Sequence, residues 1–116
     1  MNLANLKIKK TPKGIAKRGV MNKTEAAFDQ QLKFRMHAGE ILWYNFEGIS
    51  FRLAKGAKYT PDFIVMKDNY EIEIYEVKGF FRTADRLRLK IAADMYPFKF
   101  IAAIKDKTGW KFEEMN

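Results

Sequence analysis

The stretch from Tyr70 to Lys78 reads YEIEIYEVK, and its strict alternation predicts a β-strand. Successive side chains of a strand point to opposite faces, so one face carries Tyr70, Ile72, Ile74, Glu76 and Lys78. The face therefore begins apolar and ends charged. Charges on a core-like face are costly unless they are paired or hold a metal. We take Glu76 and Lys78 as candidate functional residues, with an ordinary Glu–Lys pair at a frayed strand end as the alternative.

A second acidic residue, Asp62, stands at the start of the preceding apolar run, in Tyr59-Thr60-Pro61-Asp62-Phe63. The runs 59–66 and 70–78 are joined by the turn 67–69, which predicts an antiparallel hairpin. Pairing about Asp68 sets Glu76 opposite residue 60, with Asp62 within diagonal reach. Two adjacent carboxylates can hold a hard cation such as Mg²⁺, and a nearby lysine can steer or deprotonate a water. These are the parts that phosphodiester hydrolysis requires.

The first helix is predicted over 23–38. Asn22 is a good N-cap residue, and Glu25 follows it with the spacing of a capping box. An apolar stripe recurs every four residues, and Gly39 provides a stop. Glu25 lies on the face of that stripe, so it is also a candidate site residue. Helix rules alone favour the capping role. The predicted stripe consists of Phe28, Leu32 and Met36.

The remaining pattern predicts an α/β fold with a mixed β-sheet flanked by helices. The runs 41–46 and 49–53 are expected to form a hairpin or one bent ribbon. A second helix is predicted over 84–96, capped by Thr83 and ended by Pro97. It leads to a strand over 98–104, which we expect to lie parallel to 70–78. Residues 110–112 are interpreted as a short edge strand. The stripe expected to be buried on the second helix is Leu87, Ile91 and Met95.

Length and composition narrow the functional classes. The chain of 116 residues has the size of one domain, and it has no apolar run long enough to cross a membrane. It contains no cysteine and one histidine, His37, which excludes thiolate metal sites, a cysteine nucleophile and a zinc site built on histidines. The first residues have no long apolar stretch, so we expect no secretory signal. A cytoplasmic location, in a bacterial host if the gene is from a phage, is the expectation.

The positive charge is concentrated at the start of the chain. Residues 1–22 hold six basic residues and no acidic one, whereas the rest of the chain holds 16 basic and 14 acidic residues. We therefore divide the chain into a basic N-terminal arm, 1–22, and a domain, 23–116. Such an arm favours a nucleic-acid partner, with a solvated tail as the alternative. The candidate DNA-binding residues are Lys7, Lys9, Lys10, Lys13, Lys17, Arg18, Lys23, Arg82, Arg86 and Lys90.

Pro61-Asp62 followed by Glu76-Val77-Lys78 resembles the signature of the PD-(D/E)xK nuclease superfamily. The resemblance implies a restriction-endonuclease-like core. Over residues 13–104 the chain is more closely similar to the phage endonuclease I family of junction-resolving enzymes. The similarity rests on the segments 13–19 and 59–63, on Thr24-Glu25, and on Glu76-Val77-Lys78-Gly79, which is followed by the aromatic pair Phe80-Phe81. The similarity ends at residue 104 and does not include that family's C-terminal extension, so the preferred DNA structure is left open.

The resemblance implies a metal-dependent DNA endonuclease that cleaves Holliday junctions or other branched DNA as a homodimer. It implies that Asp62, Glu76 and the Val77 carbonyl bind Mg²⁺, with Mn²⁺ able to substitute. Glu25 would support a second metal or orient its water, and Lys78 would position or activate the attacking water. The dimer interface would include residues 41–53. The alternatives are a nuclease for nicked, flapped or simple duplex DNA, and a catalytically silent DNA-binding module of the same fold.

Overall fold

A computed structural model describes residues 19–116, which form two helices and seven strands. In chain order the elements are α1 (Lys23–His37), β1 (Ile41–Phe46), β2 (Phe51–Ala54), β3 (Ala57–Tyr59), β4 (Phe63–Lys67), β5 (Ile72–Lys78), α2 (Thr83–Met95), β6 (Lys99–Asp106) and β7 (Gly109–Glu114). Most of the predicted arm, residues 1–18, lies outside the described part. Of its last four residues, Gly19 donates to Glu47 Oε1 at 2.7 Å and Met21 packs on the core.

The main sheet has five strands in the order β1-β4-β5-β6-β7. β5 and β6 are parallel and are connected through α2, whereas the other neighbours in this sheet are antiparallel. The predicted α/β class, the mixed sheet and the parallel crossover are therefore confirmed. The strand β7 lies at one edge, as expected for 110–112, and β1 lies at the other.

The predicted pairing of 41–46 with 49–53 is wrong. β1 pairs with β4, and β2 pairs with β3 in a separate two-stranded sheet. Glu47 ends β1 with a positive φ of 50°, and its N–H donates to the Asp62 carbonyl at 2.7 Å. The chain thus leaves the sheet after β1 instead of folding back along it. The predicted strand 59–66 is likewise divided, because Pro61, which has no N–H, lies between β3 and β4.

The β4–β5 hairpin is confirmed, but its register differs by two residues from the expected one. Phe63 lies opposite Tyr75 and Ile64 opposite Ile74. Tyr70 adopts a positive φ of 69° in the turn, and the Asn69 side chain accepts from Glu71 N–H, so the turn is centred one residue later than Asp68. Continuing this register by one residue sets Asp62 directly across from Glu76.

The two faces of the sheet have separate cores, which follow the alternation of each strand. On one face, Phe28 and Leu32 of α1 pack with Tyr75 and Val77 of β5. On the other face, Leu89 of α2 packs with residues that include Ile74, Phe100 and Phe51. The site residues on β5 therefore belong to a strand that is covered on both sides, and its backbone is held firmly.

Two predicted helical stripes need correction. Met36 is exposed, although Phe28 and Leu32 are fully buried as predicted. On α2 the predicted stripe is wrong, because Leu87, Ile91 and Met95 are all exposed and the buried residues are Leu89 and Ala92. On α2 the predicted stripe and the observed one both fit a helical period. The small Ala92 in the observed stripe allows a close approach to the sheet. Neither described helix is long and apolar enough to cross a membrane.

The corrected orientation of α2 gives a stability prediction. Leu89→Ala should lower the free energy of unfolding by about 2–5 kcal/mol, because it leaves a cavity in the core. Leu87→Ala, the same chemical change two residues earlier, should alter it by no more than about 0.5 kcal/mol, because that side chain is 57% exposed. Urea unfolding followed by circular dichroism measures both values. Equal losses would contradict the orientation.

Candidate active site

The predicted site residues line one open cavity of about 450 Å³ at the carboxyl end of β5. The first turns of both helices also border it, through Asn22 and Thr24 of α1 and Arg82 and Asp85 of α2. Helix N-termini present free N–H groups and partial positive charge, which favour an anion such as phosphate. The cavity thus combines acidic side chains with two positively polarised helix ends. The predicted site residues in its lining are Glu25, Asp62, Glu76, Val77 and Lys78.

Asp62 is held by its neighbours on both sides. Its side-chain Oδ2 accepts from the Val77 backbone N–H at 2.7 Å, and its backbone carbonyl accepts from Glu47 N–H at 2.7 Å. Because β4 begins only at Phe63, Val77 N–H donates here to a side chain and not to the backbone of a neighbouring strand. The carboxylate is therefore fixed beside the end of β5.

Glu76 is almost fully buried, and its Oε2 accepts from the Tyr59 hydroxyl at 2.8 Å. Tyr59 belongs to β3, so the small second sheet supports the site. Sequence reasoning gave Tyr59 no role, although it begins the segment that contains Asp62. A tyrosine in a buried segment needs a hydrogen-bond partner for its hydroxyl, and this requirement is the feature of the sequence that could have indicated a contact with a nearby carboxylate.

Lys78 lies 3.8 Å from an Asp85 carboxylate oxygen, measured from its Nζ. Asp85 also lies 3.8 Å from Arg88 and accepts from the Arg82 backbone N–H at 3.0 Å. The N-cap of α2 is thus Arg82, and the prediction that Thr83 caps this helix is wrong. Asp85 was not among the predicted site residues. Its pairing with Lys78 depends on how α2 packs on the sheet, which no local spacing reveals.

Glu25 combines the two roles that competed in the sequence. Its Oε1 accepts from Asn22 N–H at 2.9 Å, and Asn22 Oδ1 accepts from Glu25 N–H at 2.8 Å, which confirms the capping box. The same carboxylate lines the cavity and interacts with Asp62. Capping therefore fixes Glu25 at the margin of the acidic group.

Burial disfavours the ionisation of all three carboxyl groups. Burial, with added repulsion from Glu76, raises the pKa of Asp62 to about 8. Burial, with added repulsion from Asp62, raises the pKa of Glu25 to about 7. Burial also raises the pKa of Glu76, against hydrogen bonds that lower it. The cavity consequently favours a bound positive charge, which would allow all three groups to be ionised.

The donor chemistry fits a hard divalent cation held by two side chains. Asp62, Glu76 and the backbone of Val77 offer oxygen donors, which Mg²⁺ and Mn²⁺ prefer. Within residues 19–116, no three acidic or histidine side chains have the spacing to hold a metal ion together. Glu25 accordingly fits a role at the edge of the site better than one as an equal third ligand.

The candidate DNA-binding residues are distributed unevenly. Lys7, Lys9, Lys10, Lys13, Lys17 and Arg18 lie outside the described residues. Arg82 borders the cavity, and Lys23 begins α1 beside it. Arg86 pairs with Glu113 and lies over the Phe81 ring at 5.7 Å, which indicates a structural contact between α2 and β7. Lys90 is exposed farther along α2.

Comparisons with protein-family models, with curated proteins and with solved structures found no match to this chain.

The crowded carboxylates give a prediction about stability and metal binding. Asp62→Asn should raise the melting temperature in EDTA by a few degrees, because it removes a buried carboxyl whose ionisation is disfavoured in the folded chain. The amide oxygen that replaces it can still accept from Val77 N–H. Mg²⁺ should raise the melting temperature of the wild type but not of this variant. Differential scanning calorimetry tests both expectations.

The matched control is Asp68→Asn, which removes an exposed carboxylate in the β4–β5 turn. This variant should keep the wild-type melting temperature in EDTA and the full response to Mg²⁺. An equal Mg²⁺ response in the Asp62 variant would show that Asp62 does not bind the metal.

Proposed function

We propose that this chain is a metal-dependent DNA endonuclease with a restriction-endonuclease-like core. The observation that carries the proposal is that Glu25, Asp62, Glu76, Val77 and Lys78, which come from three separate elements or their flanks, line a single cavity. An acidic pair beside a lysine supplies the groups that phosphodiester hydrolysis requires. The resemblance to the PD-(D/E)xK signature also supports a metal-dependent nuclease.

Asp62, Glu76 and the Val77 carbonyl would hold Mg²⁺, for which Mn²⁺ can substitute. When bound, the metal would supply Lewis-acid stabilisation of charge on the phosphate. Lys78 orients the attacking water and offsets negative charge in the transition state. Asp85 restrains the Lys78 ammonium from the other side, at 3.8 Å. Tyr59 holds Glu76 in place, and the two helix N-termini favour the incoming phosphate.

Charge supports DNA as the substrate. The whole chain carries a formal net charge of +8, and Arg82 borders the acidic cavity. Cations around an acidic centre allow a polyanion to approach it despite the carboxylates. The basic residues of 1–18 would add contacts to phosphates along the strand.

Branched DNA, including the four-way junction, is the preferred substrate class in this proposal, and it rests on the similarity to junction-resolving enzymes. Such a substrate requires two coordinated cuts and hence two active sites. Simple, nicked or flapped duplexes are the alternative substrates. A silent DNA-binding module is disfavoured because the chain retains Asp62, Glu76 and Lys78 together.

A homodimer through residues 41–53 completes the proposal. β1 is an edge strand, and two of its large side chains, Leu42 and Trp43, are exposed at 47% and 44%. Others fill the monomer core, since Ile41 is buried and Tyr44 and Phe46 pack against it. An apolar edge with unpaired backbone groups favours pairing with a second copy.

Cleavage by full-length protein tests the activity directly. We expect four-way junctions to be cut in Mg²⁺ and not in EDTA, with slower cutting of flaps and duplexes. Lys78→Ala should reduce the single-turnover rate by at least about 100-fold while the calorimetric response to Mg²⁺ remains. Asp62→Ala should lose cleavage and retain DNA binding. Full activity in either variant would contradict the assigned roles.

Light scattering at micromolar concentration tests the dimer. Wild-type protein should have the mass of two chains, and Trp43→Glu should have the mass of one because it places a charge on the β1 edge. Ile91→Glu, which alters the exposed stripe of α2, is the matched control and should remain dimeric. Dissociation of the Ile91 variant alone would place the interface on α2, and a monomeric wild type with junction cleavage would contradict the dimer.

A further inference from the structure

Phe80 is 77% exposed, which makes it the most exposed large apolar side chain in the described part of the chain. It also borders the cavity that contains Asp62, Glu76 and Lys78. A single exposed phenylalanine on an outer surface needs no explanation. Phe80 does need an explanation, because its exposed ring lies at the rim of a cavity lined by acidic and basic side chains, two residues after Lys78.

The short connection that carries Phe80 is anchored on both sides. Gly79 follows the last residue of β5, and the next side chain, Phe81, is buried in the core under α2. Arg86 lies over the Phe81 ring, and Arg82 N–H donates to Asp85 at 3.0 Å. Burial of Phe81 directs its neighbour Phe80 outward. The ring is therefore presented by a fixed backbone, although it contributes little to the core.

The surroundings of Phe80 match those of a nucleobase-stacking residue. Proteins that hold unpaired nucleotides combine aromatic side chains, on which bases stack, with cations that contact the backbone. Here the ring lies between Lys78 and Arg82, both of which border the same cavity. Two residues of chain span at most about 7 Å, or about two nucleotide steps along one strand. Phe80 thus lies within reach of a base next to a phosphate held in the cavity.

We propose that Phe80 forms a stacking subsite for an unpaired or unstacked DNA base beside the phosphate in the cavity. The subsite rests on the proposed function in that its ligand is the same DNA strand. A continuous duplex offers no free base face, because each base is stacked on both sides. A branch point, a flap or a single strand does offer one. Phe80 therefore selects DNA with disrupted stacking, and it acts on binding before any cleavage.

The test measures affinities of full-length protein in EDTA, so that cleavage does not interfere. The probes are a fluorescein-labelled flap and a continuous duplex of equal length, followed by fluorescence anisotropy. Phe80→Leu keeps an apolar side chain without a π face, and it should weaken flap binding by about 5- to 150-fold, as expected for the loss of one stacked base. Duplex binding should stay unchanged. Phe80→Tyr, which keeps the aromatic face, should bind the flap as the wild type does.

Phe34→Leu is the matched control, since Phe34 is 70% exposed on α1 and does not border the cavity. It should bind both probes normally. Unchanged flap binding by Phe80→Leu, or equal losses on flap and duplex, would overturn the stacking subsite.

Cleavage of the same two DNAs in Mg²⁺ separates this inference from the proposed activity. Intact cleavage with no effect of Phe80→Leu on binding would leave the nuclease standing and reject the subsite. Selective loss of flap binding, in a protein that cuts neither DNA, would support the subsite and reject the nuclease.

Discussion

The hydrogen bond from Val77 N–H to the Asp62 side chain is the interaction on which the site depends. Pro61 interrupts the chain before β4, so the end of β5 meets a side-chain acceptor on that side instead of a backbone ladder. The Asp62 carbonyl meanwhile accepts from Glu47 at the end of β1. One residue thus ties together three strands, and its carboxylate is fixed beside the charged end of β5, where both line the cavity.

The remaining site residues depend on elements that pack against this point. Glu76 is oriented by Tyr59 from the small β2–β3 sheet, and Lys78 by Asp85 from α2. Glu25 arrives from α1, on the opposite face of the sheet, because its capping bond with Asn22 sets the start of that helix. The parallel β5–β6 crossover places the beginning of α2 at the carboxyl end of β5, which is where α/β folds commonly bind ligands.

The acidic group also imposes a cost on the fold. Burial raises the pKa values of Glu25, Asp62 and Glu76, with added repulsion from Glu76 on Asp62 and from Asp62 on Glu25. Raised carboxyl pKa values mean that ionisation is disfavoured in the folded chain. The free energy of unfolding should therefore fall as the pH rises toward these raised pKa values, and a cation bound in the cavity would offset that loss. The opposite arrangement surrounds Glu73, which is buried beside Tyr75 and Arg35 and so is neutralised within the protein. Glu73 therefore has an ion-pair partner within the protein, whereas Glu25 and Asp62 line an open cavity and their raised pKa values disfavour ionisation.

The sequence by itself predicted the strand β5, the helix α1 with its capping box, the parallel crossover and five residues that line one cavity, Glu25, Asp62, Glu76, Val77 and Lys78. The strand, the helix and the start of β4 follow local patterns, because alternation, capping spacing and the Pro61-Asp62 break each act within a few residues. Tertiary structure decided the register of β4 with β5, the partner of β1, the buried face of α2 and the pairs Tyr59–Glu76 and Asp85–Lys78. Leu87 and Leu89 show the reason, since either stripe satisfies the helical period and only packing of the small Ala92 against the sheet selects one. The β4–β5 turn shows it again, because Tyr70 adopts a positive φ there and the register differs by two residues from the one that the sequence predicted. Continued by one residue, this register sets Asp62 across from Glu76.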